Sequence, residues 1–238
     1  MLKNIKIAHR GLHDDKIPEN SLAAFKKCVD NKTAIELDVQ LLKDDNIVVF
    51  HDPNILRMTG IDKNIKELVV DDLNKIYLKE TKEKIPLLKD VLKLVDCKVL
   101  LDIELKCDEN SHKLENLLIN TLNTYNGKVL LKSFNYKAVK YLKKKTDYKV
   151  GLLYSNVAKN TSKLKKFFKE NLNFNIFIKP DFIGCNKKSI NDKCILNFKG
   201  PILVWTIKTQ KEYDKFNSMN YGLIFENNLK EINKKKEK

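Results

Sequence analysis

The sequence predicts an α/β protein built on parallel strands, and three observations carry that reading. Short apolar runs alternate with segments of helical periodicity from one end of the chain to the other. Strands that alternate with helices pair in parallel, because each crossover helix returns the chain to the same edge. Glycine and proline are sparse, seven and five, and no stretch resembles a linker, so one domain is expected.

The candidate strands are residues 5–8, 34–42, 47–50, 99–105, 129–131, 150–154, 182–185, 202–207 and 222–225. The first helix opens at Leu22-Ala23-Ala24-Phe25, with Ser21 or Asn20 as its N-cap. Residues 87–95 put Leu88, Val91, Leu92 and Val95 on one face. Leu114, Leu117, Leu118 and Leu122 repeat that spacing, as do Val139 and Leu142. Nine strands exceed by one the eight of a βα barrel. The gap between Asp38 and Ile47 is too short for a crossover helix, so a hairpin turning at Lys43-Asp44-Asp45-Asn46 is expected there. The alternative is that residues 182–185 form an accessory strand. Periodicity alone also permits an open doubly wound sheet. There is no short fixed-period repeat of the solenoid kind.

Composition narrows the class. With 42% hydrophobic and 32% charged residues the chain can bury a sizeable core, which excludes global disorder. No apolar run approaches the ~18 residues of a membrane span, and charges interrupt the N-terminus too early for a signal-peptide core. Cys28, Cys97, Cys107, Cys185 and Cys194 are odd in number and form no CxxC pair, which fits a reduced, cytoplasmic compartment and buried thiols. The net charge of +15 raises nucleic acid as a partner. Of the 46 basic residues, however, only Arg10 and Arg57 are arginine, the residue whose fork grips phosphates and guanine edges. The lysines are spread along the chain, so no nucleic-acid partner is expected; the excess charge serves better to draw in an anionic substrate. Residues 230–238, with five Lys and two Glu, read as a solvated basic tail.

Polar residues on apolar strands are the chemical signal. In Ala34-Ile35-Glu36-Leu37-Asp38-Val39, Glu36 and Asp38 share one face of the strand. In Leu101-Asp102-Ile103-Glu104-Leu105-Lys106, Asp102, Glu104 and Lys106 do the same. Buried unpaired carboxylates cost several kcal/mol each. A divalent cation removes that cost, and an all-oxygen set suits Mg²⁺ or Ca²⁺ better than Zn²⁺. Each of His9 and His51 follows an apolar strand, at what read as equivalent positions near these carboxylates, and together they suggest an acid–base pair. His13 and His112 fall in loop or helix and are assigned no catalytic part.

Taken in order, these residues resemble the glycerophosphodiester phosphodiesterase family. The run begins with His9-Arg10-Gly11, Pro18-Glu19-Asn20-Ser21 and Ala24-Phe25. It continues through Ile35-Glu36-Leu37-Asp38-Val39-Gln40, Lys43-Asp44, Val48-Val49-Phe50-His51-Asp52 and Leu56-Arg57-Met58-Thr59-Gly60. Ile85-Pro86-Leu87-Leu88-Lys89-Asp90-Val91-Leu92 and Ile103-Glu104-Leu105-Lys106 follow, with weaker echoes at Ser133-Phe134 and Val204-Trp205-Thr206.

The resemblance implies a (β/α)8 TIM-like barrel over residues 1–230, with a small insertion at about 53–86 near the C-terminal mouth and a tail at 231–238. It implies an enzyme that uses one divalent metal ion, Mg²⁺ or Ca²⁺, to cleave glycerophosphodiesters to glycerol 3-phosphate and an alcohol. It maps the metal ligands onto Glu36, Asp38 and Glu104, the catalytic histidines onto His9 and His51, and the phosphate-binding cations onto Arg10 and Lys106. Glu19 matches an acidic position that lies near the metal or orients the first histidine, and Trp205 an aromatic lining the mouth. The C-terminal third departs from the family pattern at Ile207-Lys208 and at Gly222-Leu223-Ile224-Phe225-Glu226-Asn227, which concerns the alcohol side. A lysophospholipase D-like or polyglycerolphosphate-cleaving enzyme is the alternative, and a non-enzymatic nucleic-acid-binding domain a distant one. The preferred alcohol and the oligomeric state are left open.

Overall fold

A computed structural model describes residues 2–107, 111–156 and 178–226. The expected basic tail lies outside the described residues. The described residues hold nine strands: β1 (Lys6–Ala8), β2 (Ala34–Leu41), β3 (Ile47–Val49), β4 (Leu101–Leu105), β5 (Val129–Ser133), β6 (Lys149–Tyr154), β7 (Phe182–Asn186), β8 (Ile202–Ile207) and β9 (Gly222–Phe225). Their order is β1-β9-β8-β7-β6-β5-β4-β2-β3, with β1 also paired to β2. That is the connectivity of a (β/α)8 barrel with one extra strand, not of an open doubly wound sheet.

The extra strand is β3. It pairs antiparallel with β2 through Val39–Val49, Gln40–Val48 and Leu41–Ile47. The turn closes where expected: Leu42 N–H donates to Asn46 O at 2.9 Å, and Asp45 takes a positive φ of 66°. The accessory-strand alternative fails, because β7 pairs in parallel with both β6 and β8.

Two compact units make up the chain, residues 8–130 and residues 1–7 with 131–238. In the first, α1 (Leu22–Asp30) starts at Ser21, whose hydroxyl oxygen accepts from Ala24 N at 3.1 Å, so the cap is Ser21 and not Asn20. The helix α4 (Leu88–Val95) buries Leu88, Val91, Leu92 and Val95, the face its periodicity predicts. Between β3 and α4 lie α2 (Leu56–Thr59), a 3-10 turn at Ile65–Glu67 and α3 (Val70–Leu73). Ile55, Met58, Ile65, Leu68, Leu73, Ile76, Leu78 and Ile85 from this stretch pack on Leu42, Val48, Phe50 and Leu87 in a cluster of their own. At about 1.5–3 kcal/mol for each large apolar side chain buried, that cluster holds the segment against the β2–β3 hairpin. The helix α5 (Lys113–Leu122) buries Leu114, Leu118 and Leu122.

In the second unit, β6, β7, β8 and β9 are parallel neighbours, and Leu223 N–H donates to Ile5 O at 2.8 Å. Three further helices, α6 (Tyr136–Lys145), α7 (Lys193–Leu196) and α8 (Gln210–Ser218), accompany them; α6 buries Val139 and Leu142. Cys28, Cys185 and Cys194 are buried free thiols, and burial pushes Cys28 and Cys185 up to about 12. Cys97 is exposed and Cys107 half-buried, which corrects the expectation that all five are buried. Among the described residues no helix is long and apolar enough to cross a membrane.

Candidate active site

The carboxylates come together because β2 is buried on both faces. Ile35, Leu37 and Val39 fill one side, while Glu36, Asp38 and Gln40 are equally buried on the other. The parallel register with β4 sets Glu36 beside Asp102 and Asp38 beside Glu104. Acidic oxygens of Glu36, Asp38 and Glu104 consequently lie within 4.8 Å of one another. Three buried carboxylates on two rigid strands form an all-oxygen donor set, which fits a hard divalent cation.

Hydrogen-bond donors orient the set. Arg10 takes a left-handed φ of 55° and is followed by Gly11 at φ 82°. A side chain at Gly11 would meet Ala24 Cβ at 2.8 Å, so both the backbone angle and the close approach of α1 call for glycine. This turn aims the Arg10 backbone N–H at Glu36 Oε2, 2.9 Å away. Asn20, itself at φ 54°, donates its backbone N–H to Arg10 O at 2.9 Å and its side-chain amide to Asp38 Oδ2 at 3.0 Å. Arg10 Nε stands 3.4 Å from the same oxygen. The Lys106 ammonium bonds Asp38 Oδ1 at 2.9 Å and also Glu104 Oε1. Burial raises the Asp38 pKa, but the charges of Lys106, Arg10 and His51 and the Asn20 hydrogen bond outweigh it and hold the carboxyl well below its ordinary value. Burial likewise opposes the charge on Lys106, and Asp38 and Glu104 reverse it, leaving the ammonium more basic than usual.

His9 is half-buried directly after β1, preceding Arg10. His51 arrives differently. It follows an antiparallel strand, so its position is not equivalent to that of His9; the hairpin runs it back along β2, where Phe50 N–H donates to Asp38 O at 3.0 Å. Its Nδ1 lies 2.6 Å from Asp52 Oδ1. Burial lowers the His51 pKa; Lys106 and Arg10 add to the depression, and Asp38 and Asp52 oppose it.

Glu19 does not join the acidic trio. It accepts from Arg10 Nη1 at 2.6 Å and from Arg57 Nη2 at 2.7 Å. Trp205 belongs to the other unit, on β8, half-buried and edge-to-face with Phe134 at a ring separation of 5.9 Å.

A model of the glycerophosphoryl diester phosphodiesterase family matches residues 9–230. The chain belongs to that family. A glycerophosphodiester phosphodiesterase from Caldanaerobacter subterraneus subsp. tengcongensis is 36% identical over 166 residues, covering 64% of this chain and 68% of that protein. Two solved structures share the fold. A phosphodiesterase of Oleispira antarctica, in complex with the product sn-glycerol-3-phosphate, superposes with a TM-score of 0.79 at 20% identity over 99% of this chain and 98% of its own. The glycerophosphodiester phosphodiesterase of Thermotoga maritima does so with a TM-score of 0.71 at 24% identity over 94% and 95%.

For this family member, four residues join the site beyond those assigned a role from sequence: Asn20, Gln40, Asp52 and Arg57. Gln40 continues the two-residue alternation of Glu36 and Asp38, which is the signal that marks it. Its side-chain amide donates to Phe50 O and Asp52 O, both at 2.9 Å, and so pins the backbone on either side of His51. Arg57 carries a compositional mark, as one of two arginines in a lysine-rich chain.

Proposed function

We propose that this phosphodiesterase depends on one divalent cation, Mg²⁺ or Ca²⁺, and on histidine acid–base catalysis, and hydrolyses glycerophosphodiesters to glycerol 3-phosphate and an alcohol. The observation that carries the reading is the convergence of Glu36, Asp38 and Glu104 within 4.8 Å. The same proposal takes residues 1–230 as one catalytic domain with 53–86 as its insertion, and a cytoplasmic location, which the odd number of cysteines without a CxxC pair supports.

Glu36, Asp38 and Glu104 would hold the cation, which supplies charge neutralisation and Lewis acidity toward a phosphodiester when bound. Arg10 and Lys106, both cationic and partly exposed beside the trio, bind the remaining phosphate oxygens. His9 takes the proton of the attacking hydroxyl, which the family resemblance allows to be the substrate's own neighbouring group, with a cyclic phosphate opened afterwards by water. His51 gives a proton to the leaving alcohol. Asp52, bonded to Nδ1, holds its ring and favours the imidazolium. Trp205 keeps the role that the resemblance gives it, an aromatic lining the mouth.

The test is product release: glycerol 3-phosphate, measured by a coupled assay, from glycerophosphocholine and glycerophosphoethanolamine, and choline from glycerophosphocholine and a lysophosphatidylcholine. Activity on the first two that disappears with chelator and returns with Mg²⁺ or Ca²⁺ is expected. Full turnover after metal removal defeats the cation assignment, and preference for the lysophospholipid replaces the substrate class.

A further inference from the structure

We propose that Arg57 is a positioning residue for the reaction: its guanidinium, anchored on Glu19, sets the Asp52 carboxylate that holds the His51 ring. The inference rests on the reading of His51 as proton donor.

Each carboxylate oxygen in the bridge has its own donor. Asp52 Oδ1 faces His51 Nδ1 at 2.6 Å, and Asp52 Oδ2 accepts from Arg57 Nε at 2.5 Å. With both oxygens engaged, the carboxylate plane is set, and the imidazole plane follows from it. Arg57 also grips Glu19 with two nitrogens, Nη2 to Oε1 at 2.7 Å and Nη1 to Oε2 at 3.3 Å. Glu19 Oε1 accepts from Arg10 Nη1 at 2.6 Å as well, and Arg10 reaches Asp38. The line of contacts is therefore His51–Asp52–Arg57–Glu19–Arg10–Asp38.

An ordinary surface ion pair is the competing explanation, since the Arg57 side chain is 49% exposed. Two observations weigh against it. The carboxylates it joins are the more sheltered partners, with side-chain exposures of 15% for Glu19 and 22% for Asp52. The composition points the same way: among 46 basic residues the two arginines are Arg10 and Arg57, and both meet on Glu19. A lysine can bridge two carboxylates only from one nitrogen, as Lys106 does, and lacks the separate, coplanar donors with which Arg57 meets Asp52 and Glu19. The anchor for the fork comes from elsewhere in the 53–86 segment. Ile55 and Met58, fully buried on either side of Arg57, fix α2 against the hairpin. A segment without any of the acidic trio or the two histidines thus supplies the part that aligns one of them.

The decisive experiment compares two leaving groups in the full chain with its divalent cation. Glycerophosphoethanolamine expels an alkoxide that needs a proton; the p-nitrophenyl diester of glycerol phosphate expels a stable phenolate that does not. In Arg57→Gln, kcat on the ethanolamine ester is expected to fall about 10–100-fold with KM changed less than about threefold, while kcat on the nitrophenyl ester falls less than about threefold. Arg57→Lys should show the same pattern with a smaller loss, which covers the case in which the glutamine variant fails to fold. The double variant Asp52→Asn/Arg57→Gln should be no slower than Asp52→Asn alone. Equal losses on both esters, a change confined to KM, or additive losses in the double variant would overturn the assignment. His51→Ala serves as the control. If it too loses equally on both esters, the proton-donor reading fails instead.

Discussion

His9 and His51 are delivered by different routes: His9 stands at the end of a barrel strand, and His51, whose charge interacts with Asp38, at the end of a strand folded back antiparallel. A positioned acid or base contributes about 10²–10⁴-fold, so His9→Ala and His51→Ala should each lower kcat by that order while far-UV circular dichroism and the thermal midpoint stay near wild type. Glu36 and Lys106 separate cation binding from turnover. Glu36→Ala removes one of the three oxygen ligands proposed for the cation and should abolish saturable Mg²⁺ or Ca²⁺ binding in a calorimetric titration. Lys106→Ala takes a positive charge away from Asp38 and Glu104, so cation affinity should hold or rise while turnover falls. A loss of cation binding in Lys106→Ala would contradict its placement as a counter-charge. The carboxylates were legible because alternation on a strand makes two acidic residues two apart share a face. Asn20, offered by the sequence as a helix cap, and Asp52, a letter of a motif, gave no sign of these contacts, because their work depends on which atom they meet across the fold.

The turn before α1 carries two site residues on a helix cap. Ser21 donates its hydroxyl to Pro18 O at 2.7 Å and accepts from Ala24 N, and between Pro18 and Ser21 lie Glu19 and Asn20. Ser21→Ala should therefore cost about 1 kcal/mol in urea unfolding. It should also lower activity by loosening Asn20 from Asp38. The 53–86 segment depends on its own apolar cluster, so Ile65→Ala, at a fully buried position, should cost about 2–5 kcal/mol by the same measurement. A change below about 0.5 kcal/mol would mean that the segment is not held by that cluster. Helix faces and strand spans followed the sequence closely: β8 and β9 match the expected residues end to end, and β4 starts two residues later than expected. The identity of the extra strand was half-legible. A gap too short for a crossover announced a hairpin, but only pairing on both sides of β7 removed the competing assignment.

At the scale of the molecule, half-buried carboxylates facing cations make stability depend on acid. Burial raises the Asp52 pKa, and the bonds from Arg57 and His51 more than offset it, so the folded-state value lies below the ordinary 3.8. Glu19 is likewise raised by burial and carried below 4.5 by Arg57 and Arg10. In both cases the unfolded chain binds protons more readily, so stability should be complete above those ordinary values and decline as pH falls through them toward the lowered folded ones. Unfolding midpoints measured from pH 6 down to about 3 should show this decline, less steeply in Glu19→Gln/Asp52→Asn; an identical slope would remove these two groups from the acid limb. By itself, the sequence determined the alternation of strands and helices, the acidic face of β2 and β4, the two histidines and the family, because each is written in local spacing. Tertiary structure alone decided that β3 runs backward to deliver His51, that Lys106 rests on two of the three carboxylates, and that Arg57 meets Glu19 from 38 residues away. Contacts of that kind follow from how buried strands and an apolar cluster pack in three dimensions, and no period along the chain encodes them.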